Sequence, residues 1–597
     1  MLFLIAGLSA ADQRPPVMGR NAGVSAGHPL TTAAATEILQ RGGNAFDAGV
    51  AAMLVGGVVE QDLYSLGGEG LVLVYPQKQK KVISIVGQGW APKAATIDWY
   101  VERNKTLLGE GLYPAVVPGA IHAALTVLER WGTMRFEDVA KRAIEYARDG
   151  FPLRPRTATA IERQRKFMAA WPTNQQTWLK PDGTSYSAGD LIQLPDLANT
   201  LTKMVQAERS ARRRGRARAI AAARDRFYKG DIAREMVSFL RQHGTPFDER
   251  DFAEFFARVE EPASVTYRGL TVYKQGFNSQ GPALLQMLNI LEQFDLQGLG
   301  HNSADYLHVI TESMKMAYAD RDTYYADPTF VKIPAKGLLS KEYAKARAAQ
   351  IDMARALTVH AAGDPLPFDP DVREWPYWVA GRDTVTTQKP QIPAEDSSLK
   401  DTTHIAIIDA AGNVFDATPS GGWIPGGVIV GNTGIGLSTR GEQFWLDTTR
   451  AAQLRPRSRP RYTLTPGIVL RDGQPYLALG TPGGDNQEQT ILQAFLNIVE
   501  FQDNWYPNLH TAFEWPRLQT FHLLGSFWPH PIELSRLDVE TGVTDDVLDE
   551  LNARGHSVRK VPPTSISGCA TAVLIDPRTG NRIAGADPRR DCYALAY

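Results

Sequence analysis

The spacing of apolar and polar positions divides this chain into a helix-rich first two-thirds and a strand-rich remainder. TTAAATEILQR (Thr31–Arg41) joins a threonine cap to helix formers and stops at Gly42–Gly43, which predicts a helix. DAGVAAMLVGGVVE (Asp47–Glu60) is apolar nearly all round, as a buried helix would be. Leu71–Tyr75 and Val82–Val86 are short β-rich runs around a polar turn, and Thr271–Phe277 is a further strand. Ala120–Trp131, Phe136–Asp149, Ala283–Phe294 and Ala304–Asp322 have helical spacing. ERSARRRGRARAIAAARDRF (Glu208–Phe227) predicts one arginine-rich helix, best explained as a solvated insertion in a helical lobe.

Residues 361–401 carry prolines and acidic residues with no periodicity, and so long a connection calls for a reason. After it the character turns to β. Thr403–Asp409 is a strand-like run, Ala410–Gly412 a turn, and Asn413–Thr418 a second run. GVIVGNTG, GIVLRDG and PYLALGT extend the series, with helices at Gln487–Phe501 and Val547–Ala553. Cys569 and Cys592 flank a predicted hairpin. The preferred reading is two unlinked thiols; a disulfide in an oxidising compartment is the alternative.

Candidate chemistry centres on Asp401–Thr402. A threonine hydroxyl is a weak nucleophile without an adjacent base. Cleavage of the bond before Thr402 would free its own α-amine, which titrates near pH 8 and suits a base at neutral pH. TTHIAIIDAAGN at this point is similar to the nucleophile segment of the γ-glutamyltransferases, which are N-terminal-nucleophile hydrolases. GGNAFDAGVAA (Gly42–Ala52), SLGGEG (Ser65–Gly70), VPG (Val117–Gly119), the run Tyr318–Pro334, TPGGD (Thr481–Asp485) and ADPRR (Ala586–Arg590) resemble the same family in the same order. The resemblance spans roughly residues 15–597.

The resemblance implies an α+β protein with the four-layer αββα sandwich of the Ntn-hydrolase fold. It further implies an autoprocessed precursor: a possible signal remnant or arm (1–14), a large α-rich fragment (15–401) and a small β-rich catalytic fragment (402–597), together one interleaved fold. Thr402 would be the nucleophile, with Ser420 as its hydroxyl partner and Gly483 and Gly484 as the oxyanion loop. Thr403 and His404 are expected to be structural. In the substrate clamp the sequence departs from the family. Gln88 stands where the typical members have the arginine that holds the α-carboxylate, and Tyr462–Thr463 where they have a pair of serines. Gly422 replaces an asparagine, and Glu442 the acidic residue that takes the ammonium. Arg455, Arg457, Arg459 and Arg461, spaced by two, are candidate substitute cations on one face of an extended segment.

The implied activity is amide cleavage through an acyl-Thr402 intermediate, with γ-glutamyl compounds such as glutathione as the family's reference substrates. The alternatives are a divergent acylase for a dicarboxylic or α-keto acyl group, and an unprocessed binding homologue. Composition narrows the rest. With 43% apolar residues, 22% charged residues and a net charge of -1, the chain reads as an ordinary globular protein with no call for nucleic acid. No metal-ligand spacing or phosphate-binding glycine loop appears, so no cofactor is expected, and the partner is the other fragment of the same chain. LFLIAGLSA (Leu2–Ala10) reads either as the tail of a secretory signal, giving a periplasmic or secreted protein, or as an apolar arm of a cytoplasmic one.

Overall fold

The computed structural model describes residues 14–107, 109–383 and 400–597. Two seven-stranded antiparallel sheets stack face to face. In the first, the order is Val17–Gly19, Arg582–Ala586, Thr571–Ile575, Gln474–Gly480, Gly467–Arg471, Leu270–Lys274 and Ala263–Tyr267. The second runs Tyr593–Ala596, Gly23–Ala26, Ile405–Ile408, Val414–Ser420, Glu69–Tyr75, Ile83–Gly87 and Arg258–Glu260. Each sheet draws strands from both sides of residue 402.

Side-chain alternation explains the layering. Ile405 and Ile407 join the apolar cluster that packs the second sheet against the helices Pro29–Gln40, Ala45–Val59 and Ala120–Trp131. Ala406 and Ile408 point the other way and meet Ile468, Ala478 and Val573 between the sheets. The outer face of the first sheet (Val272, Leu477, Leu479, Leu574) is covered by Gly281–Leu291, Ala304–Tyr324 and Gln487–Val499. The result is helix, sheet, sheet, helix, the αββα arrangement.

Local chemistry sets the element ends. Asn44 caps Ala45–Val59, accepting from Phe46 N and Asp47 N while Asp47 reaches back to its backbone. Ser303 caps Ala304–Tyr324 in the same sense. Three expectations change. The arginine-rich stretch is not one helix: Pro195–Ala211 ends in a 3-10 turn, Gly215 takes φ 92°, and Arg216–Tyr228 starts anew. Its arginines are engaged locally, Arg209 and Arg212 with Glu137 and Arg224 with Glu129. GVIVGNTG forms no strand beyond a single bridge, Ile429 to Gly436, because Gly426, Gly431 and Gly434 all have positive φ. Cys569 and Cys592 are joined as a disulfide, with Cα atoms 6.5 Å apart across the Thr571–Ile575 and Arg582–Ala586 hairpin, not held as separate thiols. The apolar run Leu2–Ala10 and most of the long connection's end lie outside the described residues. No helix among the described residues is long and apolar enough to cross a membrane.

Candidate active site

Hairpin register brings the central pair together. Ile405–Ile408 pairs with Val414–Ser420 so that Ile405 faces Ala417. Continued three residues outward, the same register sets Thr402 opposite Ser420, where an antiparallel bridge forms. Thr402 Oγ1 lies 3.0 Å from Ser420 Oγ, and both residues are buried. The chain is continuous through Asp401–Thr402. The Asp401 carbonyl oxygen accepts from Ser420 Oγ at 3.0 Å and from the Trp423 indole N–H. Arg440 Nη2 donates to Ser420 Oγ at 2.6 Å. With its own hydrogen given to Asp401 O, Ser420 Oγ can receive the Thr402 hydroxyl hydrogen, leaving Thr402 Oγ1 lone pairs free.

Charge is organised in two groups around this point. Arg440 is fully buried against the Trp423 ring at 4.7 Å, with Nε 3.4 Å from Glu69 Oε2 and Nη1 3.5 Å from Thr463 Oγ1. Burial pushes the Glu69 carboxyl up to about 7 in spite of Arg440, and burial likewise lowers Arg440. On the other side, the Asp401 carboxylate accepts from Thr402 N at 2.9 Å and pairs with Arg156 at 3.3 Å and with Arg590. Behind them, Asp62 is bound by Arg154 at 2.8 Å and Arg156 at 3.1 Å. Burial would raise Asp62, but the two guanidinium groups outweigh it and hold it below the usual carboxylate range.

The other predicted residues are placed as follows. Gly483 and Gly484 follow the strand Gln474–Gly480 with φ 125° and 55°, conformations that favour glycine, and Phe527 lies against Gly484. Glu442 is buried, with Oε2 3.4 Å from Lys400 Nζ, which also donates to Gly109 O at 2.7 Å. Thr463 reaches Ser420 only through Arg440. Gly422 has φ 67°, and a Cβ there would sit 2.2 Å from Ser65 Oγ and 2.5 Å from Gly436 O, so the position has no room for a side chain. Tyr462 points away: its hydroxyl donates to Gln275 Oε1 at 3.0 Å and its ring packs with Leu71, Val86 and Leu464. Gln88 is buried, its amide donates to Gly89 O at 3.3 Å, and no hydrogen bond joins it to Thr402. His404 is a bonded strand histidine, between Thr571 Oγ1 at 2.6 Å and Asp416 Oδ1 at 2.9 Å.

The four spaced arginines do not share a face. Arg457 has φ 62°, which breaks the extended run, and it pairs with Glu254 at 2.6 Å. Arg455 binds Ala451 O, and Arg459 binds Gln88 O and Phe256 O. Arg461 approaches the Gly483–Gly484 loop, donating to Ser526 Oγ at 3.0 Å, which in turn bonds Asp485 beside Gly484. Sequence reasoning missed Arg440 altogether and gave Trp423 no role at the Asp401 carbonyl. The signal for Arg440 was its place two residues before Glu442. Arg156 and Arg154 were missed too, because they lie far upstream, at the start of the helix Pro155–Arg163.

Two further clusters are chemically distinct from this centre. His308, Glu312 and His556 bring ligand atoms within 4.8 Å of one another. Lys315 Nζ donates to Glu312 at 2.8 Å and the two imidazoles meet at 2.9 Å, so an ammonium already stands where a metal cation would. A cavity of about 480 Å³ between His122, Arg224, Tyr228 and Phe255 lies in the helical lobe, whereas the opening beside Thr402 is only about 10 Å³. Geometry, not volume, singles out the Thr402–Ser420 pair as the candidate centre.

Fold and site together define an N-terminal-nucleophile type of amidohydrolase. The chain belongs to the gamma-glutamyltranspeptidase family, whose model matches residues 31–597. It is 31% identical to the glutathione hydrolase-like YwrD proenzyme of Bacillus subtilis (strain 168), over 97% of this chain and 99% of that one. Among solved structures, LmbA2991HD superposes with TM-score 0.89 at 34% identity, covering 98% of this chain and 100% of that one. Cephalosporin acylase from Bacillus halodurans does so with TM-score 0.81 at 25% identity, covering 100% and 99%.

Proposed function

We propose that the chain is a proenzyme that cuts itself between Asp401 and Thr402 and then works as a Thr402 amidohydrolase or acyltransferase. One observation carries the reading: the scissile carbonyl is clamped by two donors, Ser420 Oγ and Trp423 Nε1, while the Thr402 hydroxyl faces Ser420. In processing, Thr402 Oγ1 bonds to the Asp401 carbonyl carbon, the C–N bond breaks, and the nitrogen takes the hydroxyl proton. Water then hydrolyses the ester. In turnover the freed α-amine takes the Thr402 Oγ1 proton as the oxygen attacks a substrate amide, and returns it to the leaving amine. The amides of Gly483 and Gly484 receive the oxyanion; such donors are each worth roughly 3–4 kcal/mol. Water or an amine then takes the acyl group.

Within the family, γ-glutamyl amides such as glutathione are the first substrates to consider. A second reading, an acylase for a non-glutamyl acyl group, is favoured by Gly422, which cannot carry an ammonium-binding side chain, and by the uncharged Gln88. The cephalosporin acylase likeness points the same way. The disulfide fits an exported protein. On a denaturing gel the purified protein should run as two bands, with mass spectrometry placing a new N-terminus at Thr402, and Thr402→Ala should stay whole. A single intact band after prolonged incubation at neutral pH overturns the proposal. Comparing γ-glutamyl- with glutaryl-p-nitroanilide separates the two substrate readings.

A further inference from the structure

The intact chain carries its own bound carboxylate beside the nucleophile. Asp401 Oδ2 is held by Arg156 Nη2 at 3.3 Å and by Arg590, and Oδ1 accepts from Thr402 N at 2.9 Å. Arg590 is partly buried, its side chain 15% exposed, and Asp401 is the one carboxylate within ion-pairing distance of it among the described residues. Arg154 and Arg156 are both anchored on Asp62, and Arg154 also lies 3.5 Å from Asp591. The cluster therefore sets three guanidinium groups against Asp62, Asp591 and Asp401. If Asp401 withdraws after cleavage, the partly buried Arg590 guanidinium loses its one ion-pair partner among the described residues. Burying an unpaired charge is costly, so the position will draw an anion. The narrow opening beside it is lined by Arg154, Arg156, Arg590, Thr402 and Pro482.

We propose that, in the processed protein, Arg156 and Arg590 form a carboxylate subsite for the acyl group of the substrate. This rests on the acylase reading of the same site. Asp401 also supplies a measure of length. Two carbons separate its carbonyl carbon, clamped by Ser420 and Trp423, from its side-chain carboxyl carbon. That is the spacing of a succinyl group. The acyl donor class is thus a monoamide of a four-carbon dicarboxylic acid, one carbon shorter than glutaryl and lacking an obligatory ammonium.

The subsite can be tested without turnover. In the intact double variant Asp401→Ala/Thr402→Ala the tethered carboxylate is gone, and added succinate should raise the melting temperature saturably. Thr402→Ala alone, where Asp401 still fills the subsite, should show no such shift, and adding Arg156→Gln to the double variant should abolish it. Arg156 is the chosen arginine because its side chain is 30% exposed and Arg154 still holds Asp62. On the processed protein, succinyl-p-nitroanilide should exceed butyryl-p-nitroanilide in kcat/KM by about tenfold to a hundredfold, as for a hydrogen bond to a charged group. Arg156→Gln should erase that preference by raising KM for the succinyl compound. Equal rates for the two anilides, or a succinate shift that survives Arg156→Gln, overturns the subsite. A protein that never turns over but shows the Arg156-dependent shift retains the subsite and loses the catalytic proposal.

Discussion

Trp423→Phe isolates one donor at the scissile carbonyl. The indole N–H points at the Asp401 oxygen, and the only other side-chain donor there among the described residues is Ser420 Oγ, 3.0 Å away. Phenylalanine removes the N–H and keeps an aromatic face for Arg440, whose guanidinium carbon lies 4.7 Å from the Trp423 ring. A donor aimed at a developing oxyanion contributes roughly 2.7–4 kcal/mol, so its loss should slow the step about 100- to 1000-fold. Self-cleavage should therefore lengthen by at least about two orders of magnitude. The assay is a time course of the intact band on denaturing gels, started from freshly purified protein. A thermal melt run alongside checks folding, because losing part of a buried indole costs packing as well. Turnover by whatever fraction does mature should change far less, since the Gly483–Gly484 amides are the donors proposed for the substrate oxyanion. Processing within about threefold of the parent rate would refute the clamp. Equal slowing of processing and turnover would assign Trp423 to both steps and remove the distinction drawn between the two oxyanion sites.

Two further outcomes follow from the electrostatics and packing. Glu69 rises from an ordinary 4.5 to about 7 in the folded protein, mainly through burial, so the native state binds an extra proton between those values. Its contribution is complete below the unfolded value and is lost as pH climbs through about 7. A shift of that size corresponds to about 3 kcal/mol. Urea melts between about pH 5 and 8 should show stability falling with pH, less steeply in Glu69→Gln; identical slopes in both proteins count against the assignment. Gly422→Asn, the change that would restore the family's asparagine, should destabilise by about 3 kcal/mol through overpacking on Ser65 and Gly436. Asparagine tolerates positive φ, so the clash is the cause. A variant that melts with the parent and gains γ-glutamyl activity would show that the Ser65 loop yields.

How much of this was legible in the sequence depends on what fixes each residue's position. The alternation in Ile405–Ile408 is local, and it specifies which side chains enter the helical layer and which enter the sheet interface. The short turn after Ile408 fixes the hairpin register, and register alone carries Thr402 to Ser420. Those two residues could therefore be paired from the chain before any tertiary contact was known. Arg440 and Arg156 could not. Arg440 opens a 3-10 turn and Arg156 the helix Pro155–Arg163, and each reaches the centre only because a remote element has been folded against it: Glu69 and Ser420 for Arg440, Asp62 and Asp401 for Arg156. Gly422 shows the limit most clearly. An alignment can say that asparagine is missing there, but only the approach of Ser65 Oγ and Gly436 O shows that nothing larger than hydrogen fits. The spaced arginines fail for the opposite reason: their period was read as a strand's, and a left-handed residue at Arg457 breaks the period before it can align them. Local pattern thus places Thr402 opposite Ser420, whereas the charges that surround them are set by remote elements meeting at that point.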